Sequence, residues 1–158
     1  MAVEADLQHL PRIERSAAQA FQGRDVPAFL LTHASPAEAW RPQLEAGTLW
    51  VSEADGALLA FLAATADGDR LHIDEVDVDQ PAQGRGLGRR LMAHAIGWAM
   101  KRGLAQVTLT TFRNVPWNGP FYASLGFMED DRLPALQEIL RAEAEKGLSD
   151  RCAMVKPL

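Results

Sequence analysis

Apolar positions along the chain switch between a helical and a strand period, and the switches mark out its elements. Leu7, Leu10, Ile13, Ala17, Ala20 and Phe21 recur at spacings of three and four, which predicts an amphipathic helix over Asp6–Phe21 with Gly23 as its stop. Pro11 fits only a first turn, so the main helix starts near Leu10, with Asp6 capping a short turn ahead of it. The residues before that leave room for a short first strand or none. Ser35-Pro36-Ala37-Glu38 offers a cap residue and a proline at the first helical position. Pro42 is expected to end or kink that helix soon after Trp40, with Gly47 its outer limit.

Three apolar runs follow, Thr48–Glu53, Ala57–Thr65 and Arg70–Val78. Asp55-Gly56 and Asp67-Gly68-Asp69 separate them, and Asp-Gly between two such runs signals a hairpin. Together they predict an antiparallel meander. Leu87, Leu91, Met92, Ala95, Ile96, Ala99 and Met100 then return to helical spacing until Arg102-Gly103. Val107–Phe112 reads as a strand, Pro116–Ser124 as a short helix, and Leu125–Met128 as the start of another strand. Leu133–Lys146 reads as a helix stopped by Gly147, and Cys152–Val155 as a last strand. Helices and strands in this order make a mixed α/β (α+β) sheet protein, with one domain over residues 1–158 as the expectation.

The third run contains an irregularity. Leu71 and Ile73 are apolar at odd positions, Val76 and Val78 at even ones. A regular strand keeps one parity on its buried face, so the switch predicts one inserted residue, a β-bulge near Asp74 and Glu75. His72, one of Asp74 or Glu75, and Asp77 then share the polar side.

Composition narrows the class without naming it. The net charge of −5 gives no general basic surface for nucleic acid. No apolar run approaches the length of a membrane span, and the first residues lack the basic and apolar regions of a signal peptide. Cys152 is the only cysteine, which excludes an internal disulfide and fits a reducing, cytoplasmic compartment. His9, His33, His72 and His94 show no metal-ligand spacing, so no metal is implied.

The chemistry concentrates after the bulged strand. Gln83-Gly84-Arg85-Gly86-Leu87-Gly88-Arg89 joins it to the next helix. Glycine lets ligand approach the backbone, and a helix N-terminus favours anions, so this loop suits a phosphate, the alternative being a flexible glycine turn with solvated arginines. It is neither a Walker loop, lacking Gly-Lys-Ser/Thr, nor the dinucleotide fingerprint, whose third glycine falls at Arg89.

Gln83–Gly88 resembles the Gln/Arg-x-x-Gly-x-Gly/Ala loop of the GNAT acetyltransferase superfamily. Glu75-Val76-Asp77-Val78 ahead of it is similar to that family's fourth strand. Asn118-Gly119-Pro120-Phe121-Tyr122-Ala123-Ser124-Leu125-Gly126-Phe127 resembles its Asn…Phe-Tyr…Leu-Gly-Phe segment. The resemblance implies a mixed, mostly antiparallel central sheet flanked by helices, and acetyl-CoA as co-substrate. It implies that backbone N–H groups over Gly84–Arg89 cradle the pyrophosphate, with Gln83, Arg85 and Leu87 in the same loop. Val76 and Val78 would pair with the pantetheine amides, and the Val78 N–H would polarise the thioester carbonyl. Asn118 and Phe121 would hold the pantetheine arm, and the Tyr122 phenol would protonate the departing thiolate.

Other roles stay open for these residues. Asn118 also suits a helix cap, and Tyr122 an aromatic core. The base that deprotonates an acceptor amine is expected among Glu75, Asp74 and His72, with Glu75 ranked first. The acids suit a cationic amine. The acceptor, a small molecule or a peptide, is not named by the sequence, and a two-fold dimer is the default assembly. Two competing readings are a non-catalytic acyl-CoA-binding sensor and a nucleotide-binding domain of another class. Trp40, Trp117 and Phe29 either line a pocket or fill core.

Overall fold

A computed structural model describes residues 1–158. Its centre is a six-stranded sheet in the order β1-β2-β3-β4-β6-β5. The strands are β1 (Leu49–Ala54), β2 (Ala57–Asp67), β3 (Arg70–Val78), β4 (Gln106–Phe112), β5 (Met128–Glu129) and β6 (Arg151–Pro157). All neighbours pair antiparallel except β3 and β4, which run parallel. The helices are α1 (Leu10–Ala18), α2 (Arg41–Glu45), α3 (Leu87–Lys101), α4 (Asn118–Ala123) and α5 (Pro134–Glu145). No helix is long and apolar enough to cross a membrane.

The meander forms where the turn chemistry puts it. Asp55 and Gly56 both have positive φ, 53° and 75°, as a two-residue hairpin turn with matched twist requires. The bulge is also present. Ala63 pairs with Glu75 and Ala64 with Ile73, so Asp74 is the residue without a partner. The bulge keeps Leu71 and Ile73 on the same side as Val76 and Val78, where all four pack against the helix α3 core. That core includes Trp50, Leu62, Leu91, Met92 and Leu109. On the opposite face, Leu10 and Ile13 of α1 pack with Trp40, Phe61 and Ala63. Leu136 of α5 covers Ala153 and Val155 of β6.

The N-terminal region departs from expectation in three places. No strand precedes α1; the Ala2 N–H donates one bond to the Leu49 carbonyl (2.9 Å), and the chain turns into a 3₁₀ helix at Glu4. Pro42 does not end a helix. A 3₁₀ turn over Ala37–Trp40 closes first, and Pro42 then sits in the first turn of α2, where its missing N–H has no helical acceptor to lose. Ser35 caps no helix, because its hydroxyl and N–H are both drawn to Glu14. Later in the chain β5 begins at Met128 rather than Leu125. The residues between belong to the close of α4, with the Phe127 N–H reaching back to the Tyr122 carbonyl (3.1 Å) and Gly126 at φ 89°.

Leu62 is fully buried in the core under the bulge. Leu62→Ala is expected to destabilise the protein by roughly 2–5 kcal/mol. Urea unfolding will show this as a lower midpoint with an unchanged slope.

Candidate active site

The site opens where two strands part. The β3–β4 ladder runs from Arg70–Gln106 to Ile73–Leu109 and stops at the bulge. Beyond it β3 stays with β2 up to Val78, and β4 stays with β6 up to Phe112. The Asp79 N–H donates to the Leu59 carbonyl (2.8 Å). Hydrogen-bonded pairs alternate along an antiparallel ladder, so Asp77 also faces β2 with its backbone. Val76 and Val78 therefore turn theirs into the gap. Gln83 Nε2 donates to the Val78 carbonyl there (3.1 Å). Arg12 bonds Asp79 (2.6 Å), and Ser16 bonds both Asp79 and the Gln80 N–H, so α1 is fastened to the end of β3.

Two cavities fill the gap, and Phe21, Val76, Asp77, Asn118 and Tyr122 line both. The first, about 400 Å³, is walled by Val76–Val78, the glycine loop, Phe121 and Tyr122. Gly84 and Gly86 sit at φ 76° and 77°, a region that disfavours side chains with a Cβ. Gly86 precedes α3 without any side-chain cap, and the Arg90 N–H is the first to bond back, to the Gly86 carbonyl (3.0 Å). The N–H groups of Leu87, Gly88 and Arg89 therefore point out of the helix end toward the loop. A Cβ on Gly88 would meet Val78 Cγ2 at 3.6 Å, an ordinary van der Waals contact, so α3 and β3 are close here without the packing requiring a glycine. Arg89 bonds the Ser124 hydroxyl (2.7 Å) and lies 5.9 Å from the Phe121 ring; Arg85 is exposed. The arrangement suits an elongated ligand with a phosphate end at the loop and amide groups along β3.

The second cavity, about 290 Å³, is acidic. Glu75 and Asp77 of β3 project into it, joined by Glu14 of α1. Burial pushes the Glu75 carboxyl up to about 7, helped by the negative Glu14. Burial and the charges of Glu75 and Glu14 raise Asp77 well above the ordinary range too. Asp74, the bulge residue, lines the same cavity, but the Thr65 hydroxyl (2.7 Å) and Gln43 amide (3.0 Å) hold its carboxylate. Tyr122 stands between the cavities, its ring edge-on to Phe121 and Phe127. Burial and then the charge of Glu75 keep its phenol protonated far into the alkaline range, and no protein group hydrogen-bonds it. It is thus a proton donor with an unoccupied hydroxyl.

His72 lies elsewhere. It is buried against Thr108 (Nδ1 to Oγ1 2.9 Å), lines neither cavity, and burial lowers it to about 4. Asn118 opens α4 with Trp117 as its cap residue, so its side chain is not a cap. Trp40 is core, whereas Trp117 and Phe29 are partly exposed. Sequence reasoning missed Glu14, Thr110, Glu143 and Arg151, all on the acidic cavity. Arg151 pairs with Glu143 (3.0 Å), and the Thr110 hydroxyl donates to Glu143 (2.6 Å). Glu14 carried only the signal of a polar residue beside Ile13 on an amphipathic helix.

Residues 13–127, well over half of the chain, match the sequence model described as "Acetyltransferase (GNAT) family". Solved structures share the fold. The ribosomal-protein-S18-alanine N-acetyltransferase from Escherichia coli is 22% identical, with 99% of this chain and 90% of that one covered at a TM-score of 0.70. The PaiA N-acetyltransferase from Thermoplasma acidophilum, in complex with coenzyme A, is 14% identical, with 98% and 94% covered and a TM-score of 0.74. N-acetylglutamate synthase from Neisseria gonorrhoeae, complexed with coenzyme A and N-acetyl-glutamate, is 22% identical. There 99% of this chain covers 34% of that one, at a TM-score of 0.72.

The raised Glu75 carboxyl has a consequence for folding. Between about 4.5 and about 7 the folded state binds a proton that the unfolded state has released, so stability falls as pH rises through that window. Glu75→Gln is expected to flatten this slope and to be more stable than wild type at pH above 7, as read by urea midpoints across pH. An unchanged slope would show that Glu75 is ordinary.

Proposed function

Because the chain belongs to the acetyltransferase (GNAT) family and is thereby an acetyl-CoA-dependent N-acetyltransferase, we propose that it passes acetyl directly from acetyl-CoA to a primary amine bound in the acidic cavity. The observation that carries this reading is the shared wall: Tyr122, Asn118 and Val76 line both the loop-side cavity and the acidic one. A thioester in the first then lies next to an amine in the second, with no protein nucleophile needed between them.

Acetyl-CoA supplies an activated acyl group; the chain's residues hold it and move protons. In this reading the N–H groups of Leu87 to Arg89 and the positive end of α3 take the pyrophosphate, with Gly84 and Gly86 allowing the close approach. Arg85 and Arg89 add charge. Val76 and Val78 offer backbone groups to the pantetheine amides, and Asn118 and Phe121 confine the arm from the α4 side. The Val78 N–H is the donor for the thioester oxygen; a donor of this kind contributes roughly 3 kcal/mol of transition-state stabilisation.

Glu75 is the base. An acceptor amine arrives as ammonium, and a carboxyl poised at about 7 both accepts a proton and releases it near neutral pH. Asp74 is the weaker candidate, because Thr65 and Gln43 already occupy its carboxylate. Tyr122 returns a proton to the departing thiolate.

Acetyl-CoA is expected to raise the melting temperature, and Gly86→Glu to abolish that rise by placing a strained, negative side chain in the loop. Absence of any rise in the wild type would sink the reading. In a thiol-release assay with an accepted amine, Tyr122→Phe is expected to lower kcat about a hundredfold or more. Glu75→Gln is expected to remove the rise of kcat/KM with pH through about 7. A Tyr122→Phe enzyme at wild-type rate would assign the proton elsewhere.

A further inference from the structure

We propose that Ser16 and Arg12 of α1 are positioning residues for acyl transfer: by pinning Asp79 they fix the direction of the Val78 N–H at the thioester carbonyl. This rests on the transfer reaction inferred above. The way β3 is held at its end carries the proposal. Up to Ile73 the strand has a neighbour on each side, β2 and β4. From there to Val78 it has β2 on one side and cavity on the other. A donor on such an open edge is only as well aimed as the point where the edge ends.

That point is Asp79, and it is held from β2, from α1 and from the turn that follows. Its N–H donates to the Leu59 carbonyl of β2 (2.8 Å), while the Val78 carbonyl of the same peptide unit accepts from Gln83 Nε2 (3.1 Å). Its carboxylate takes Arg12 Nη1 on one oxygen (2.6 Å) and the Ser16 hydroxyl on the other. Ser16 Oγ in turn accepts from the Gln80 N–H (3.0 Å), and Arg12 Nη2 reaches the Leu58 carbonyl of β2 (2.8 Å). Burial acts to raise the Asp79 carboxyl, but the Ser16 and Arg12 hydrogen bonds outweigh it and hold the group below its ordinary value. The pin is therefore built from charge-assisted bonds. The Val78 N–H lies one α-carbon away from the pinned peptide, with only the two dihedrals of Val78 between them.

Arg12, Ser16 and Asp79 line neither cavity, so they stand outside the space of carrier and acceptor and act through the backbone. Asp79 also opens the turn toward the glycine loop, its carbonyl accepting from the Ala82 N–H (2.8 Å). This joint sets the offset between the phosphate end of the carrier and the donor at its thioester. An error in the offset falls on the reacting carbonyl, because the loop and the pantetheine contacts anchor the rest of the carrier. Misplacement by about 1 Å at a reacting centre costs on the order of a hundredfold in rate. α1 can hold the joint because Leu10 and Ile13 lock its other face into the core.

The test uses Ser16→Ala, Arg12→Met and Ser16→Thr. Thiol release gives the rate, and the infrared carbonyl stretch of bound, isotope-labelled acetyl-CoA reports on the donor. Ser16→Ala and Arg12→Met are each expected to lower kcat about tenfold, with KM for acetyl-CoA within about twofold of wild type. The bound carbonyl is expected to move to higher frequency in both, because a misaimed donor polarises it less. Ser16→Thr keeps the hydroxyl and is expected to restore rate and frequency. Ile13→Val loosens α1 in the core without touching the pin and is expected to keep the wild-type frequency. An unmoved carbonyl band in Ser16→Ala and Arg12→Met, or a wild-type kcat in both, overturns the positioning role and leaves acetyl transfer standing. An equal band shift in Ile13→Val does the same, since the effect is then one of helix packing. A wild-type protein that binds acetyl-CoA but releases no thiol across a panel of alkylamines, amino acids and peptides overturns both.

Discussion

One inserted residue at Asp74 governs the site. Without it, Val76 and Val78 would turn to the opposite face and expose apolar side chains to α1, and Glu75 and Asp77 would turn into the α3 core. With it, the core keeps four apolar side chains of β3 in one layer. The bulge also bends β3 away from β4 at the point where their ladder ends. The parting frees the inward backbone edge of Val76 and Val78 and makes the cavities. Core packing and catalytic space thus come from the same local distortion, and neither can be altered alone.

The distortion concentrates unfavourable electrostatics that the rest of the protein must hold in place. Burial raises all three carboxyls, of Glu14, Glu75 and Asp77; the charge of Glu14 raises Glu75 further, and those of Glu75 and Glu14 raise Asp77. They stay because the elements bearing them are anchored elsewhere. α1 is tied to the end of β3 by Arg12 and Ser16 on Asp79, and its other face is locked by Leu10 and Ile13 in the core. A region stabilised by its surroundings can tolerate groups whose own contribution is destabilising, which is how functional sites commonly differ from the rest of a fold.

Much of this was legible in the sequence because it is local. The parity switch between Ile73 and Val76 needs only the period of a strand, and the Asp-Gly turn only the chemistry of two residues. The glycine loop is equally short-range: its conformation depends on Gly84 and Gly86, and its N–H groups on the helix that follows. What was not legible depends on contacts far apart in the chain. Glu14 reaches the site because α1 crosses β3, and Ser35 finds it from 21 residues away. Arg151 and Glu143 come from the last strand and helix, and Thr110 from β4. His72 could be placed only once Thr108 was known to lie across the parallel ladder from it. Pro42 was ambiguous for a different reason: proline closes one helix or opens another with equal local sense, and the 3₁₀ turn at Trp40 decides between them.

The two ends of the gap carry opposite fields, and this arrangement gives the site its direction. The α3 N-terminus with Arg85 and Arg89 attracts anions at one end, and the carboxylates of β3 and α1 attract cations at the other. In the proposed transfer, a negatively charged carrier and a positively charged acceptor would therefore have one orientation each, and exchanging them would set like charges together at both ends. Glu75 and Tyr122 sit where the two fields meet, and there burial shifts both groups the same way, toward the protonated form. For a carboxyl that shift brings it to neutrality, where it can take a proton from an amine; for a phenol it secures the proton that a leaving thiolate needs. On the proposed assignment, one low-dielectric environment would make a base of one side chain and an acid of the other, because their ordinary values lie on opposite sides of pH 7.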